Sequence, residues 1–274
     1  MRYLLGLFAL SLVAACGGPE TAGVTVVASS PGAVGTGDQR LLLGLVSDEA
    51  ESLAAPDRPV TAELIDPDGE PAGETAGEFI WTIPDVRGLY VTHFDFDRAG
   101  TWIVRLLPDG LPPTPPSPFQ VAQDPSVPEV GEPAPPSDTR TAADYPLEEI
   151  SSDPEPDSAF YRLSLAEAFT SGRATVVVFA TPAFCTSQTC GPTLDHTKTV
   201  AARHPDVNFV HVEVFENLDA AGMDQLRPVP AVVEWGLPSE PWVFVVDAAG
   251  EVAARFEGAF SEAELERALE AIGA

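Results

Sequence analysis

A proline-dense segment near the middle of the 274-residue chain limits its fold most strongly. Between Pro108 and Pro156, stretches such as LPPTPPSP and EPAPPSD mix prolines with acidic residues. Because proline fixes φ and lacks a backbone donor, such a stretch disfavours helices and central strands and prefers extended polyproline geometry. We therefore predict a proline-rich acidic linker at residues 123–158 that spaces two folded domains apart.

The segment before the linker has the pattern of an all-β sandwich. Short β-like runs are separated by turn signals such as DPDGEPAG and DRAG; the runs are LLLGLV, VTAELI, EFIWTI, LYVTHFDF and TWIVRLL. Regular short strands of this kind are typical of a sandwich, which we place at residues 38–122. Tyr90, Thr92, Phe94 and Phe96 should share one face, because side chains alternate along a strand.

This segment also resembles the immunoglobulin-like domains of bacterial extracytoplasmic proteins. The resemblance rests on a Gly-x-Tyr strand, whose tyrosine is Tyr90, followed by a Gly-x-Trp strand, whose tryptophan is Trp102. It implies an immunoglobulin-like β-sandwich over residues 38–122.

The first fifteen residues, MRYLLGLFALSLVAA, have the pattern of a secretory signal. A positive start at Arg2 is followed by an apolar run that is shorter than the about 20 residues of a membrane-spanning helix. The Val-Ala-Ala-Cys sequence ending at Cys16 resembles a bacterial lipobox, which implies cleavage before Cys16 and lipidation of its sulfur. A plain signal peptide with an incidental cysteine is the alternative.

We accordingly expect a lipoprotein signal peptide at residues 1–15 and a flexible tether at 16–37. The lipid on Cys16 would attach the protein to the extracytoplasmic side of a membrane, at the cell surface or in the periplasm.

The net charge of −28, from 42 acidic and 14 basic residues, makes nucleic acid a poor partner.

From about Ala159 helical and strand patterns alternate, which predicts an α/β domain at residues 159–274. Ser164 with Glu167, and Ser261 with Glu264, have the spacing of helix capping boxes. The apolar run TVVVFA is typical of a strand buried on both faces. We predict further strands at 207–214, 242–246 and 251–256, and a helix at 192–203.

Cys185 and Cys190 lie just after that apolar run, in FATPAFCTSQTCGPT. Because lipidation would block the sulfur of Cys16, Cys185 and Cys190 can form a disulfide only with each other, unless a partner protein intervenes. A disulfide persists in an oxidising extracytoplasmic compartment. The pair therefore fits an exchanging redox site or a structural staple.

The order of elements around the cysteines is similar to the thioredoxin fold. The resemblance rests on TVVVFATPAFC, on the Cys-Gly-Pro sequence starting at Cys190, and on Pro241 at the start of a strand. It implies that Pro241 is cis and faces the cysteines, and that Pro241 and Trp242 bind substrate; Trp242 as a core or groove-wall residue is the simpler alternative. The family has two residues between its cysteines, whereas this chain has four.

The sequence leaves two assignments of the nucleophile open. Counting along the strand places Cys185 near the family's nucleophilic cysteine, whereas matching CGPT to the family motif places Cys190 there. A helix N-terminus lowers a thiol pKa, which favours Cys190 as the more thiolate-like sulfur and Cys185 as its partner.

Metal binding is a third interpretation, because two thiolates and a histidine suit Cu(I) or Zn²⁺. Sco-like copper chaperones share the thioredoxin fold but carry a histidine just after the aspartate of a later strand. Here Asp247 is followed by Ala248, and His196 is most simply a helix-surface residue. We therefore predict no metal site and no cofactor.

The sequence thus predicts a multi-domain protein in which an all-β immunoglobulin-like sandwich precedes an α/β thioredoxin-like domain. The expected function is thiol–disulfide exchange through catalytic Cys185 and Cys190, with extracytoplasmic protein thiols or a redox partner. Sco-like copper delivery for oxidase assembly and a non-catalytic binding module with a structural disulfide are the alternatives.

Overall fold

The computed structural model describes residues 23–220 and 222–274, and the chain is mostly β-sheet. The signal peptide and the lipidation prediction at Cys16 lie outside these residues. Seven strands form the first sheet: β1 (Val24–Val27), β2 (Gly37–Val46), β3 (Val60–Ile65), β4 (Pro71–Ile83), β5 (Arg87–Phe96), β6 (Gly100–Pro108) and β7 (Ser117–Val121).

Four strands and five short helices follow. The strands are β8 (Thr175–Ala180), β9 (Asn208–Glu213), β10 (Trp242–Val246) and β11 (Val252–Glu257). The helices are α1 (Leu147–Ile150), α2 (Leu165–Thr170), α3 (Cys190–Ala201), α4 (Pro230–Glu234) and α5 (Glu262–Ala271).

The first sheet, in the order β1-β2-β5-β4-β3-β6-β7, folds over itself at the long strand β4. Residues 71–77 of β4 pair with β3, and residues 78–83 pair with β5. Alternate residues of β2, β3, β5 and β6 meet in one apolar core, with Tyr90 and Phe96 inside it and Phe94 at its margin. The alternation predicted from LYVTHFDF is confirmed.

The predicted flexible tether is wrong from Val24 onward. Strand β1 pairs antiparallel with β2 from Val24↔Val46 to Val27↔Leu43. The hydroxyl groups of Thr25 and Thr114 are hydrogen bonded at 2.6 Å between Oγ1 atoms, inside the protein. The short VTVV run gives little local signal because its stability comes from pairing with a strand more than ten residues away.

The second sheet has the order β11-β10-β8-β9, in which β8 is parallel to β9 and antiparallel to β10. Strand β8 is fully buried because helices cover both of its faces: α3 and α5 pack on one face, and α2 and α4 on the other. Both predicted capping boxes, Ser164 with Glu167 and Ser261 with Glu264, are confirmed.

The proline-rich segment is not the free spacer that its composition predicts. Its backbone runs along the exposed edge of the second sheet: Gly131 donates to Val252 O (2.8 Å), and Ala134 donates to Gly250 O (2.9 Å). Val127 and Ile150 are buried in the cores of this second part of the chain. Extended, proline-containing backbone suits an edge, where half of the backbone groups need no ladder partner.

Two largely buried arginine side chains join the sandwich to the second part of the chain. Arg40 of β2 donates from Nε to Glu264 Oε1 (2.7 Å) and from a terminal nitrogen to Ala259 O (2.9 Å), and the Arg40 and Glu264 side chains are 8% and 5% exposed. In the opposite direction, Arg255 of β11 donates to Gln39 Oε1 (2.7 Å) and Glu129 Oε1 (3.1 Å). The sandwich and the second sheet therefore share a specific polar interface.

Glu264 both caps α5 and faces Arg40. Burial by itself would raise the pKa of this carboxyl, but the charge and hydrogen bonds of Arg40, with hydrogen bonds from Ser261, hold the pKa below its ordinary value. The carboxylate is therefore ionised at neutral pH and depends on Arg40 for its charge balance.

We expect Arg40→Met to destabilise the protein by about 3–5 kcal/mol, because it leaves the buried Glu264 carboxylate without its partner. Chemical denaturation at neutral pH measures the change. Arg267→Met is the matched control: its pair with Glu78 spans the same interface at 3.4 Å, but the side chains are 56% and 58% exposed. The control should cost at most about 1 kcal/mol; equal losses in both variants would contradict the prediction.

The pH dependence of stability should report the same ion pair. Because the folded-state pKa of Glu264 is depressed, its contribution is present above the unfolded-state pKa of about 4.3 and is lost as the pH falls through the folded-state value. The stability difference between the native protein and Arg40→Met should therefore be full at neutral pH and shrink in acid. Urea denaturation across this pH range tests it, and a difference independent of pH would contradict it.

Candidate functional site

The turn between β8 and α3 carries both cysteines, and they form a disulfide. Strand β8 ends at Ala180, and α3, which packs on the same sheet, begins at Cys190. The turn between them therefore lies at one end of the second sheet. The two Cα atoms are 6.0 Å apart, within the usual range of about 4.4–6.8 Å. The predicted Cys185–Cys190 disulfide is confirmed.

The two sulfurs have different surroundings. Cys190 is 0% exposed and belongs to the core between the second sheet and α3, whereas Cys185 is partly exposed. The Cys190 backbone N–H, at the start of α3, donates to Cys185 Sγ at 3.3 Å, and Ser187 Oγ lies 3.2 Å from the same sulfur. Cys185 is therefore the sulfur that is accessible to solvent and that accepts the helix-terminal N–H. The sequence had favoured Cys190 for this role.

Hydroxyl side chains order the residues between the cysteines. Ser187 Oγ lies 2.7 Å from Thr189 Oγ1, while Gln188 takes a left-handed conformation with φ of 62°. The role of Ser187 was not predicted, although the TSQT composition carries a signal for it, since serine and threonine often hydrogen bond within tight turns. Ser187 thus adds a donor next to the accessible sulfur.

The Glu240–Pro241 peptide bond is cis, as the resemblance predicted for Pro241. The carbonyl of Pro241 accepts a hydrogen bond from Gly258 N at 2.8 Å. The preceding residues Ser239 and Glu240 line one cavity together with Ser187 and Thr189 of the cysteine turn. The segment before Pro241 therefore lies beside the disulfide.

Trp242 has a different place from the one predicted for a substrate-binding residue. It is 2% exposed, its ring stacks on Phe244 with centroids 5.6 Å apart, and its Nε1 donates to Ser239 Oγ at 3.2 Å. Burial in the sheet core keeps this ring from contacting a substrate directly. Trp242 instead supports Ser239 at the cavity.

The cavity beside the disulfide has a volume of about 310 Å³ and is shared by both parts of the chain. The second part contributes Gly258 and Ala259 in addition to the residues of the cysteine turn and of the Pro241 segment. The sandwich contributes the opposite side, with Ala28, Leu42, Thr82, Arg87 and Leu89. No sequence pattern predicts this wall, because its residues come from three separate strands and a loop.

Two glutamates lie at the same cavity. Partial burial raises the pKa of Glu240, whereas Glu257 Oε1 accepts hydrogen bonds from Ser30 N (2.8 Å) and Ser239 Oγ (3.0 Å). With 42 acidic residues in the chain, the sequence could not distinguish either one. Glu257 ties the sandwich to the Pro241 segment, and Glu240 places a carboxyl of raised pKa next to the cysteine turn.

The histidines near the cysteines have structural partners. His196 Nδ1 lies 3.1 Å from Phe260 O, and buried His211 is held between Tyr161 and Ala180 O. Burial lowers the pKa of His211, which keeps its ring neutral. Among residues 23–220 and 222–274, no group of three or more His, Cys, Asp or Glu side chains is arranged to hold a metal ion.

No family model and no curated protein matches this chain. Solved structures with a detectable likeness include the Lin-41 filamin domain (16% identity, 39% of this chain and 99% of that chain, TM-score 0.24). Another is the TIG domain of human nuclear factor of activated T-cells, cytoplasmic 4 (19% identity, 39% and 95%, TM-score 0.27). Both neighbours are immunoglobulin-like domains.

A longer alignment is found with Salmonella alpha-2-macroglobulin, at 14% identity and a TM-score of 0.29. It covers 94% of this chain but only 16% of that protein. Within the described residues, none of the helices has the length and apolar character needed to cross a membrane.

We expect reduction of the disulfide to expose one reactive thiol. Cys185 should be alkylated by iodoacetamide at least about tenfold faster than Cys190, because thiolate character and access together set cysteine reactivity. Time-resolved tandem mass spectrometry of the peptide that carries both residues measures the two rates separately from Cys16. Cys185→Ser is the control and should leave Cys190 slow. Faster modification of Cys190 would contradict the assignment.

Proposed function

We propose that this protein is an extracytoplasmic thiol–disulfide oxidoreductase whose Cys185–Cys190 pair cycles between disulfide and dithiol. The observation that carries the proposal is the asymmetry of the two sulfurs. An accessible Cys185 sulfur that accepts a helix-terminal N–H, joined to a buried Cys190, is an arrangement suited to exchange, since attack can occur at only one of them.

The proposal includes a thioredoxin-like character for residues 159–274. Its support is the mixed sheet with a parallel β8–β9 pair, the helices on both faces, and the cysteine turn that leads from a buried strand into α3. The cavity that joins the cysteine turn to the Glu240–Pro241 segment adds to this support.

Exchange would begin with a thiolate of a partner protein dithiol attacking Cys185 Sγ. The partner–Cys185 bond forms as the Cys185–Cys190 bond breaks, and the electron pair leaves on Cys190 as a thiolate, which then takes up a proton. The backbone N–H at the start of α3 and Ser187 Oγ lie 3.3 and 3.2 Å from Cys185 Sγ. They would stabilise negative charge on this sulfur in the later step.

In the second step, the other thiol of the partner loses its proton, and the resulting thiolate attacks the partner sulfur that is bonded to Cys185. The partner becomes a disulfide and Cys185 leaves as a thiolate, so two electrons have passed from the partner to this protein. The same steps in reverse would reduce a partner disulfide. The net direction depends on the reduction potentials of the two proteins.

The proposed partners are extracytoplasmic protein thiols or a redox partner, and the proposed location is a membrane surface reached through a lipid on Cys16. The apolar signal-like start of the chain and the Val-Ala-Ala-Cys sequence support that location. Because β1 begins at Val24, only eight positions after Cys16, the folded part would stay close to the membrane.

A structural disulfide in a binding module is the second candidate, and the complete burial of Cys190 in an apolar core favours it. Such a disulfide would resist reduction because burial in an apolar core disfavours Cys190 as a leaving thiolate. Reduction potential separates the two candidates.

We expect a reduction potential between about −120 and −270 mV for the Cys185–Cys190 disulfide, the range of exchanging proteins of this chemistry. Equilibration with glutathione or dithiothreitol buffers, read out by thiol alkylation, measures it. A value below about −300 mV would contradict exchange and support the staple.

Single cysteine variants test the direction of attack. Cys190→Ser should accumulate a mixed disulfide with oxidised extracytoplasmic partner proteins: the Cys185 thiolate attacks the partner disulfide, one partner sulfur leaves as a thiolate, and the Cys190 sulfur that would resolve the new bond is absent. Cys185→Ser is the matched control and should accumulate none, since Cys190 is buried. Non-reducing gels with mass spectrometry detect the adducts, and trapping through Cys190 alone would contradict the assignment.

A further inference from the structure

We propose that the cavity beside the disulfide receives an apolar side chain of a partner polypeptide, and that the β-sandwich forms one wall of this binding site. The inference rests on the proposed thiol–disulfide exchange and names the class of substrate: a polypeptide that carries an apolar residue close to its reactive cysteine. It also gives the sandwich a direct role in substrate recognition.

The position of the cavity supports this role. Ser187 and Thr189, which line it, are within two residues of Cys185 and Cys190 along the chain. A polypeptide whose cysteine is bonded to Cys185 must therefore place its neighbouring residues at or near the cavity. The Ser239–Glu240 segment forms the adjoining side.

The walls combine apolar side chains with the charged side chains of Arg87, Glu240 and Glu257, and the apolar part of the lining indicates an apolar occupant. Leu42 and Leu89 of the sandwich, with Ala28, face Ala259 of the second part. The same residues belong to the apolar cluster through which the two parts of the chain already contact each other. The cavity is therefore continuous with an existing apolar interface, and an apolar side chain placed there would extend that interface.

The size of the cavity limits what it can hold. A volume of about 310 Å³ accommodates one large apolar side chain but no folded element. It lies at the lower end of the about 300–1,000 Å³ found for ligand pockets. A polypeptide can fill it with one residue while its backbone stays outside, whereas a small thiol such as glutathione offers no apolar side chain for it.

The wall is also held in a fixed position. Arg40 bonds to Ala259 O at 2.9 Å, and Glu257 joins Ser30 N to Ser239 Oγ, so residues that line the cavity or adjoin it are tied across the interface. A preformed site loses less freedom when a ligand binds, and it can discriminate between side chains of different size.

The test compares exchange rates of the reduced protein with three disulfides: two short peptide disulfides that differ only by Leu or Ser next to the cysteine, and oxidised glutathione. The native protein should react at least about tenfold faster with the leucine peptide than with the serine peptide, since one apolar group in a pocket gives roughly 10–200-fold discrimination. Ala28→Phe fills the cavity and should abolish the preference for the leucine peptide.

Val26→Phe is the matched control, because it places the same phenyl ring on the exposed side of β1, at a residue that is 45% exposed. It should keep the preference for leucine. Leu89→Ala removes apolar contacts from the cavity wall and should lower the preference for the leucine peptide over the serine peptide, which provides an independent answer if Ala28→Phe does not fold.

The outcomes separate the two proposals. If the native protein exchanges with none of the three disulfides, the proposed function fails. If it exchanges with all three but shows no preference for leucine, or if neither cavity variant changes that preference, the binding site is overturned and the oxidoreductase activity stands.

Discussion

The buried ion pair between Arg40 and Glu264 is the interaction on which the arrangement of the molecule depends. Removing both charges from water is costly, so the pair stabilises the fold only when the two sheets meet in the orientation that also satisfies Ala259 O and the cap of α5. Arg255 makes the reciprocal connection to Gln39 and Glu129. These polar contacts select one orientation, whereas apolar packing alone would allow several.

This fixed orientation gives the cysteine turn its surroundings. Strand β8 leads the chain to the end of the second sheet, and the start of α3 buries Cys190 while Cys185 stays accessible beside Ser187. Because the sandwich is held against the same end, the space next to the disulfide becomes a lined cavity instead of open surface. Position and chemistry of the site thus depend on both parts of the chain.

The proline-rich segment shows how composition can mislead about packing. Its prolines do exclude long helices and central strands, and the α-helix within it, α1, is only four residues long. The backbone between them still has donors and carbonyls, and Gly131 and Ala134 use them to cover the edge at Val252 and Gly250. An extended conformation is what both a free spacer and an edge-covering segment require, so the local preference is the same and only the presence of a nearby sheet edge distinguishes them.

Elements with local signals could be predicted from the sequence alone: the alternation in β5, the buried run of β8, the two capping boxes, and the pairing of Cys185 with Cys190. Each depends on residues close together in the chain or on a count of cysteines. Tertiary contacts were needed to set the pairing of β1, the burial of Trp242, the accessible sulfur and the sandwich wall of the cavity. These depend on contacts between residues far apart in the chain, and local propensity carries no information about which distant surfaces will meet.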